Sequence, residues 1–142
     1  MSLSLLSFNC RGLHGIEKRR DVFNFLKQKQ KSIYFLQDTH FTEDDVNMVR
    51  SMWGYGIFIS QGKTDSRGVA ILFNNNFEYE IIQVTTDEIG NYLAIDLRIE
   101  KYNILLINIY GPNRDSPDFY ENIQSKVENF YGDFVVIGGD FN

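Results

Sequence analysis

Short runs of β-branched and aromatic residues alternate along the chain with a few amphipathic stretches, and no repeat or low-complexity segment interrupts them. Residues 3–9 read as a buried strand. Residues 16–30 cluster Val22, Phe23, Phe25 and Leu26 on one side and leave Lys18, Arg19, Lys27 and Lys29 for a wet face, which predicts a helix. Residues 32–37 (SIYFLQ) form a second core strand. Thr42, followed by Glu43, Asp44 and Asp45, places a cap and negative charge at the start of a short helix running to Trp53. Strands are expected at 55–60 and 68–73 around a polar loop at 61–67. Three more follow at 78–85, 92–100 and 103–110, the last two joined by a tight turn near Lys101 and Tyr102. Pro117 suits the first position of a helix capped by Ser116 and ending near Gly132. Residues 134–137 are the last strand, with 138–142 turning off its end. Strand–helix–strand crossings favour parallel pairing, whereas the run of strands from 55 to 110 favours antiparallel hairpins, so the fold class is α/β with a mixed sheet flanked by helices.

Length and composition agree. A chain of 142 residues is one domain's worth. Aromatics at 15% argue against disorder, and no apolar run reaches the roughly 20 residues of a membrane helix. The start, MSLSLLSFNC, lacks a basic region before its apolar residues, so no leader peptide is expected; the single cysteine, Cys10, suits a reducing compartment, cytoplasm or nucleus. A net charge of -5 is unfavourable for binding nucleic acid, but it is unevenly spread. Residues 1–31 carry seven basic side chains against two acidic ones, and the remainder sums to -10. An acidic body also suits a carboxylate-lined cation site.

Candidate chemistry stands just past four strands: Asn9 in FNCRG, Asp38 in LQDTH, Tyr110 in NIYGPN, and Asp140 with Asn142 in GGDFN. Strand ends in helix-crossed sheets gather short polar side chains into one crevice. Brought together, these would supply two carboxylates, two carboxamides and a phenol. Such oxygen-rich donors suit Mg²⁺ better than zinc or copper, and Mg²⁺ takes only one or two protein carboxylates before completing its shell with water and phosphate. Phosphate-ester chemistry is the expectation. Taken singly, a strand-end Asp or Asn is ordinarily a turn former or cap, and Tyr110 before Gly-Pro could simply anchor a turn.

In order and spacing, FNCRGL followed by KRR, FLQDTHF, RGVAIL, NIYGPN and VVIGGDFN resembles the first five motifs of the endonuclease/exonuclease/phosphatase superfamily, over residues 3–142. The likeness is greatest to the nicking endonuclease domain of LINE-type (non-LTR) retrotransposons. It implies the amino-terminal half of a four-layer α/β/β/α sandwich of the deoxyribonuclease type, with residues 1–142 as a partial domain. It implies Mg²⁺, with Mn²⁺ as a substitute, and DNA as substrate. By resemblance, Asp38 is the main metal ligand, assisted by Asn9, which also arranges phosphate. Tyr110 contacts the scissile phosphate, Asp140 orients or activates water, and Asn142 holds phosphate. Arg11, Lys18 and Arg19 are the candidates for nucleic-acid contact.

Two departures matter. The family usually has glutamate where this chain has Asp38, one methylene shorter. Its pattern also continues with a later aspartate and a Ser-Asp-His segment, expected about 80–100 residues beyond Asn142 by the resemblance, and then a reverse transcriptase in the parent polyprotein. These 142 residues alone are therefore expected to be inactive, to lack the second sheet, and to expose the inner face of the first. An inactive remnant with weak metal or nucleic-acid binding is the alternative, as is a family member acting on abasic DNA or a phospholipid. Of the remaining candidates, His14 reads as solvated, His40 as a neighbour of the metal ligand, and Cys10 as a packed spectator. Gly56 and Gly62 enclose one residue too many for a phosphate-binding loop ending in GKT, and neither a G-x-S-x-G nor an H-E-x-x-H is present.

Overall fold

The computed structural model describes residues 2–87, 89–112 and 116–141. In chain order the elements are β1 (Leu5–Asn9), α1 (Ile16–Lys29), β2 (Ile33–Gln37), a 3₁₀ turn (Glu43–Asp45) running into α2 (Val46–Trp53), β3 (Ile57–Ser60), β4 (Val69–Phe73), β5 (Glu80–Thr86), β6 (Tyr92–Ile99), β7 (Tyr102–Tyr110), α3 (Pro117–Glu128) and β8 (Phe134–Asp140). The strands divide into two four-stranded mixed sheets, β1-β2-β4-β3 and β5-β6-β7-β8. In each, one parallel pair, β1 with β2 or β7 with β8, continues into antiparallel pairs.

Apolar periodicity accounts for the layering. Both β2 (IYFLQ) and β4 (VAILF) are buried at every position, as strands covered on both faces must be. On the outer face of the first sheet, Tyr34, Leu36, Ala70 and Leu72 pack against Phe23 and Leu26 of α1 and Val49 and Trp53 of α2. On its inner face, Ile33, Phe35, Val69, Ile71 and Phe73 meet Leu93, Ile95, Leu97, Ile104 and Leu106 of the second sheet. The outer side of that sheet, with Ala94, Leu105, Ile107 and Ile109, is covered by Ile123, Phe119 and Val127 of α3. Each fully buried side chain of this kind contributes roughly 1.5–3 kcal/mol of transfer free energy. The order of layers is α/β/β/α, as the resemblance implied.

The expectation of a missing second sheet is overturned. Four strands of each sheet are here, and among the described residues their inner faces close on one another over the central strands, leaving inner-face apolar residues open at the β1 and β8 margin, at Leu5 and Phe134. The open surfaces are edges: β1 and β8 lie side by side at one border of the sandwich, where Leu5, Phe134, Val135 and Ile137 are exposed. Smaller differences have local causes. Gly138–Asp140 stays in β8 instead of turning off it, because Gly138, Gly139 and Asp140 pair with Asn108, Ile109 and Tyr110. The β6–β7 turn is at Glu100 and Lys101, Glu100 taking a positive φ of 55°. α3 stops at Glu128, short of Gly132.

Candidate active site at the strand ends

The parallel pairs β1/β2 and β7/β8 end at the same border of the sandwich, and β4 and β6 begin there. The polar residues beyond them therefore meet. The Asn9 side-chain amide donates to Asp140 Oδ2 at 2.6 Å, joining positions 131 apart in the chain and belonging to different sheets. Asn9 Oδ1 accepts the Arg11 N–H at 3.1 Å, which fixes the amide orientation. Tyr110 lies near both carboxylates: burial raises its phenol above the usual tyrosine range, and the charges of Asp38 and Asp140 push it further up. Four of the five strand-end candidates, Asn9, Asp38, Tyr110 and Asp140, thus share one crevice. Asn142 lies outside the described residues.

Asp38 is held by its surroundings. Its Oδ1 pairs with His40 Nε2 at 2.7 Å and accepts the Arg67 N–H at 3.2 Å. The segment from 38 to 40 is clamped on both sides by main-chain bonds. The Asp38 and Thr39 carbonyls accept from the Gly12 and Leu13 N–H groups, and the Thr39 and His40 N–H groups donate to the Gly68 and Arg67 carbonyls. Arg11, Asp38, His40 and Arg67 all adopt positive φ, between 50° and 66°. Left-handed conformations in non-glycine residues cost about 1–2 kcal/mol each, and such strain clusters where geometry serves function. Gly12 brings its backbone so close to His40 that a Cβ would stand 2.6 Å from Nδ1, so the imidazole is seated on bare backbone. Gly139 has φ +141°, and a Cβ there would run into the Ile109 backbone.

Behind this crevice a buried polar set ties the sheets together. Asn108, fully buried in β7, donates from its amide to the carbonyls of Leu36 in β2 at 2.9 Å and Ala70 in β4 at 2.8 Å, while its Oδ1 accepts from Gln37 Nε2 at 2.8 Å. Asn91, also buried, donates its amide to the Tyr110 carbonyl at 2.7 Å and accepts the Tyr110 N–H at its own carbonyl. These residues were not singled out from the sequence, because a polar residue in a strand carries no mark of the sheet it reaches.

The proposed nucleic-acid contacts divide. Arg11 and Lys18 are exposed beside Asn9, with Lys18 Nζ donating to the Arg11 carbonyl at 3.1 Å. Arg19, expected on the nucleic-acid surface, instead lies inside: it is 1% exposed, donates to the Leu13 and His14 carbonyls, pairs with Asp45 Oδ1 at 3.4 Å and lies over the Phe41 ring. Its guanidinium pins the 13–14 loop to the start of α2 and is not presented to a ligand. Cys10 is buried, and burial pushes its thiol up to about 12, against the opposing influence of Lys18. It is inert packing, as expected.

Whether Mg²⁺ fits can be judged from the donors. Among the described residues no group of three or more His, Cys, Asp or Glu side chains forms a cage, which is the arrangement of a transition-metal site rather than of Mg²⁺. Asp38 and Asp140 present carboxylate oxygens on either side of Tyr110, Asn9 turns its amide N–H to Asp140 and its oxygen to the Arg11 N–H, and the His40 contact orients the Asp38 carboxylate from behind. The donor set fits a hard cation that keeps most of its own water.

No family model matches the chain. Over its whole length it is 30% identical to an uncharacterized 149 kDa protein of transposon TX1 from Xenopus laevis, of which it spans 11%. Among solved structures, the AP endonuclease LMAP of Leishmania major superposes with a TM-score of 0.74 at 16% identity, covering 97% of this chain and 54% of that one. An endonuclease/exonuclease/phosphatase family protein from Bacteroides thetaiotaomicron gives 0.71 at 13% identity, covering 100% and 64%. The chain thus spans about a tenth of the curated relative and somewhat over half of the structural neighbours. It is similar from end to end to a transposon protein, and it has the fold of the endonuclease/exonuclease/phosphatase superfamily.

Proposed function

We propose that this chain carries the phosphodiester-hydrolysing site of a DNA-nicking endonuclease borne by a retrotransposon protein. One observation carries the reading: Asn9, Asp38, Tyr110 and Asp140, from four strands of two sheets, converge on one crevice with an oxygen-donor set suited to Mg²⁺ and phosphate. Asp38 with Asn9 would hold the ion, and a bound Mg²⁺ would supply positive charge to a phosphate oxygen, lowering the cost of charge building there. Asp140, fixed by the Asn9 amide, is the acceptor that orients or deprotonates water. Tyr110, kept neutral by burial and by two carboxylates, retains its O–H to donate to phosphate at neutral pH. The Asn142 amide would add a further donor, and Arg11 and Lys18 would track the neighbouring backbone phosphates.

We further propose that the working domain is completed by strands added at the β1 and β8 border, where unpaired edges and exposed Phe134, Val135, Ile137 and Phe141 adjoin the site, and that a reverse transcriptase accompanies it in the parent protein. On this reading, residues 1–142 alone leave supercoiled plasmid intact in Mg²⁺, and a chain extended through the downstream motifs converts it to open circle. Asp140→Ala in the extended chain abolishes nicking. Nicking by the extended chain that survives Asp140→Ala and Asp38→Ala alike would remove the site from the reaction.

A further inference from the structure

Next to Tyr110, on the side away from Asn9, a cavity of about 340 Å³ opens between the β4 and β6 ends of the two sheets, lined by Arg67, Ile89, Asn91, Tyr110, Pro112 and Ser116. We infer that this cavity is a nucleotide subsite flanking the scissile linkage, with Arg67 as its phosphate-binding cation. The inference rests on the nuclease reading above and adds to it the position and chemistry of the neighbouring nucleotide.

Three observations carry it. The strand order places three pairs of residues in a row along the crevice: Asn9 with Asp140 at β1/β8, Asp38 with Tyr110 at β2/β7, and Arg67 with Asn91 at β4/β6. Adjacent strands stand about 4.8 Å apart, so Arg67 lies roughly two strands, about 10 Å, from the Asn9 end, where Arg11 and Lys18 are exposed. Cations therefore bracket an acidic centre, the pattern a phosphate backbone crossing the strand ends requires in a chain of net charge -5. Secondly, the Arg67 backbone is strained and locked. It holds φ 66°, gives its N–H to Asp38 and takes the His40 N–H on its carbonyl, so the residue is registered to the proposed metal ligand within one hydrogen bond. Thirdly, the Arg67 guanidinium makes no hydrogen bond or ion pair among the described residues, unlike Arg19, whose burial is fully compensated. An arginine side chain that lines a pocket without a protein partner is suited to phosphate, because its planar fork of N–H donors matches phosphate oxygens. Ile89 and Pro112 give the same cavity an apolar wall for a sugar or base, and the Asn91 amide is already committed to the Tyr110 carbonyl.

The test measures binding of a short fluorescent single-stranded DNA to the chain in Mg²⁺ across a salt series, for the parent, Arg67→Ala and Arg67→Lys. Arg67→Ala should weaken binding about fivefold or more and make the salt slope shallower by roughly 0.7, the signature of one lost phosphate contact on a single strand. Arg67→Lys should restore the slope and only part of the affinity, since a point charge replaces a bidentate fork. If the parent binds and Arg67→Ala matches it in affinity and slope, the subsite is overturned while the nuclease reading stands. If the parent does not bind the oligonucleotide while retaining its fold by circular dichroism, the subsite is overturned as well, and the nuclease reading is decided separately by the plasmid assay of the extended chain.

Discussion

Gln37 Nε2 donates to Asn108 Oδ1 at 2.8 Å between the two sheets, beside its bonds to the Ser7 hydroxyl and the Phe35 carbonyl, and both the Gln37 and Asn108 side chains are buried. Gln37 ends the strand that leads into Asp38, and Asn108 lies two residues before Tyr110, so this bond fixes the spacing of those two site residues. Asn108→Leu should destabilise the fold by about 2–3 kcal/mol, chiefly because the Leu36 and Ala70 carbonyls lose a donor away from water, while the Gln37 amide keeps its bonds to Ser7 and Phe35. The double variant Gln37→Leu with Asn108→Leu should cost less than the sum of the singles, as replacing both ends of a buried pair does. Urea unfolding of the four proteins measures the coupling; strict additivity would show that the bond contributes nothing.

The order of elements was legible in the sequence because strand and helix periods differ and turn chemistry punctuates them. The continuous apolar run in SIYFLQ marked a core strand, and residues 68–73 were legible as a strand though not as a central one. The partition into two sheets was not legible, since alternation tells which face of a strand is apolar but not which neighbour covers it. Arg19 was misread for a related reason: within the KRR run it looks like part of a wet face, and the groups that draw it inward, the Leu13 carbonyl and Asp45, are supplied by a loop and a helix the local pattern does not specify. Asn9, Asp38, Tyr110 and Asp140 could be found because each immediately follows or ends an apolar strand. Arg67 stands before one, at the start of β4, where antiparallel pairing brings it to the same border.

Asp45 and Asp96 should give opposite pH signatures. Burial acts to raise the Asp45 carboxyl, but the Thr42 N–H and hydroxyl, Arg19 and His14 outweigh it and hold the group below the usual aspartate range. Its contribution to stability is therefore present above the ordinary aspartate pKa and is lost as pH falls through the lower, folded value. Asp45→Asn should be less stable than the parent at pH 7, with the difference closing in acid. Asp96, on β6, is raised by burial alone. The parent is thus most favoured at this position below the ordinary aspartate pKa and loses stability as pH rises through the folded one, so Asp96→Asn should gain at pH 7 and match the parent in acid. Thermal midpoints at pH 7, 5 and 3 for the three proteins decide both signs.

Arg19→Met removes the cation while keeping much of the side-chain volume. The Leu13 and His14 carbonyls lose their donors and Asp45 loses its partner, so a loss of about 2–4 kcal/mol is expected. DNA affinity per folded molecule should be unchanged. A stable Arg19→Met protein with weakened DNA binding would return Arg19 to the nucleic-acid surface.

Gly139→Ala should be among the most damaging single changes. With φ +141° and a would-be Cβ colliding with the Ile109 backbone, neither rotation nor a side-chain adjustment relieves the clash, and β8 must part from β7 locally. At least about 3 kcal/mol should be lost, together with the Asn9–Asp140 bond, which depends on β8 holding its register. Chemical denaturation gives the first, and the Asn9 side-chain amide resonance the second. A Gly139→Ala protein of parental stability would show that β8 does not run here as described.

His40 offers the most direct test of the proposed metal site, because it touches Asp38 without belonging to the oxygen donors. Its ring, seated on Gly12 and bonded to Asp38 Oδ1, restrains the carboxylate on a backbone already at φ 55°. An outer residue that orients a metal ligand typically accounts for 10–100-fold in affinity. His40→Ala should thus weaken Mg²⁺ binding by at least about tenfold with little effect on the unfolding midpoint in EDTA, and His40→Gln, which can donate to the same oxygen, should recover part of it. Calorimetric titration of Mg²⁺ into the parent and both variants separates this from a structural role, which would lower the EDTA midpoint and leave affinity alone. Unchanged Mg²⁺ affinity in His40→Ala, with Asp38→Ala abolishing binding, would leave Asp38 as a ligand that needs no such support. If Asp38→Ala also bound as the parent does, the cation would have to be sought elsewhere.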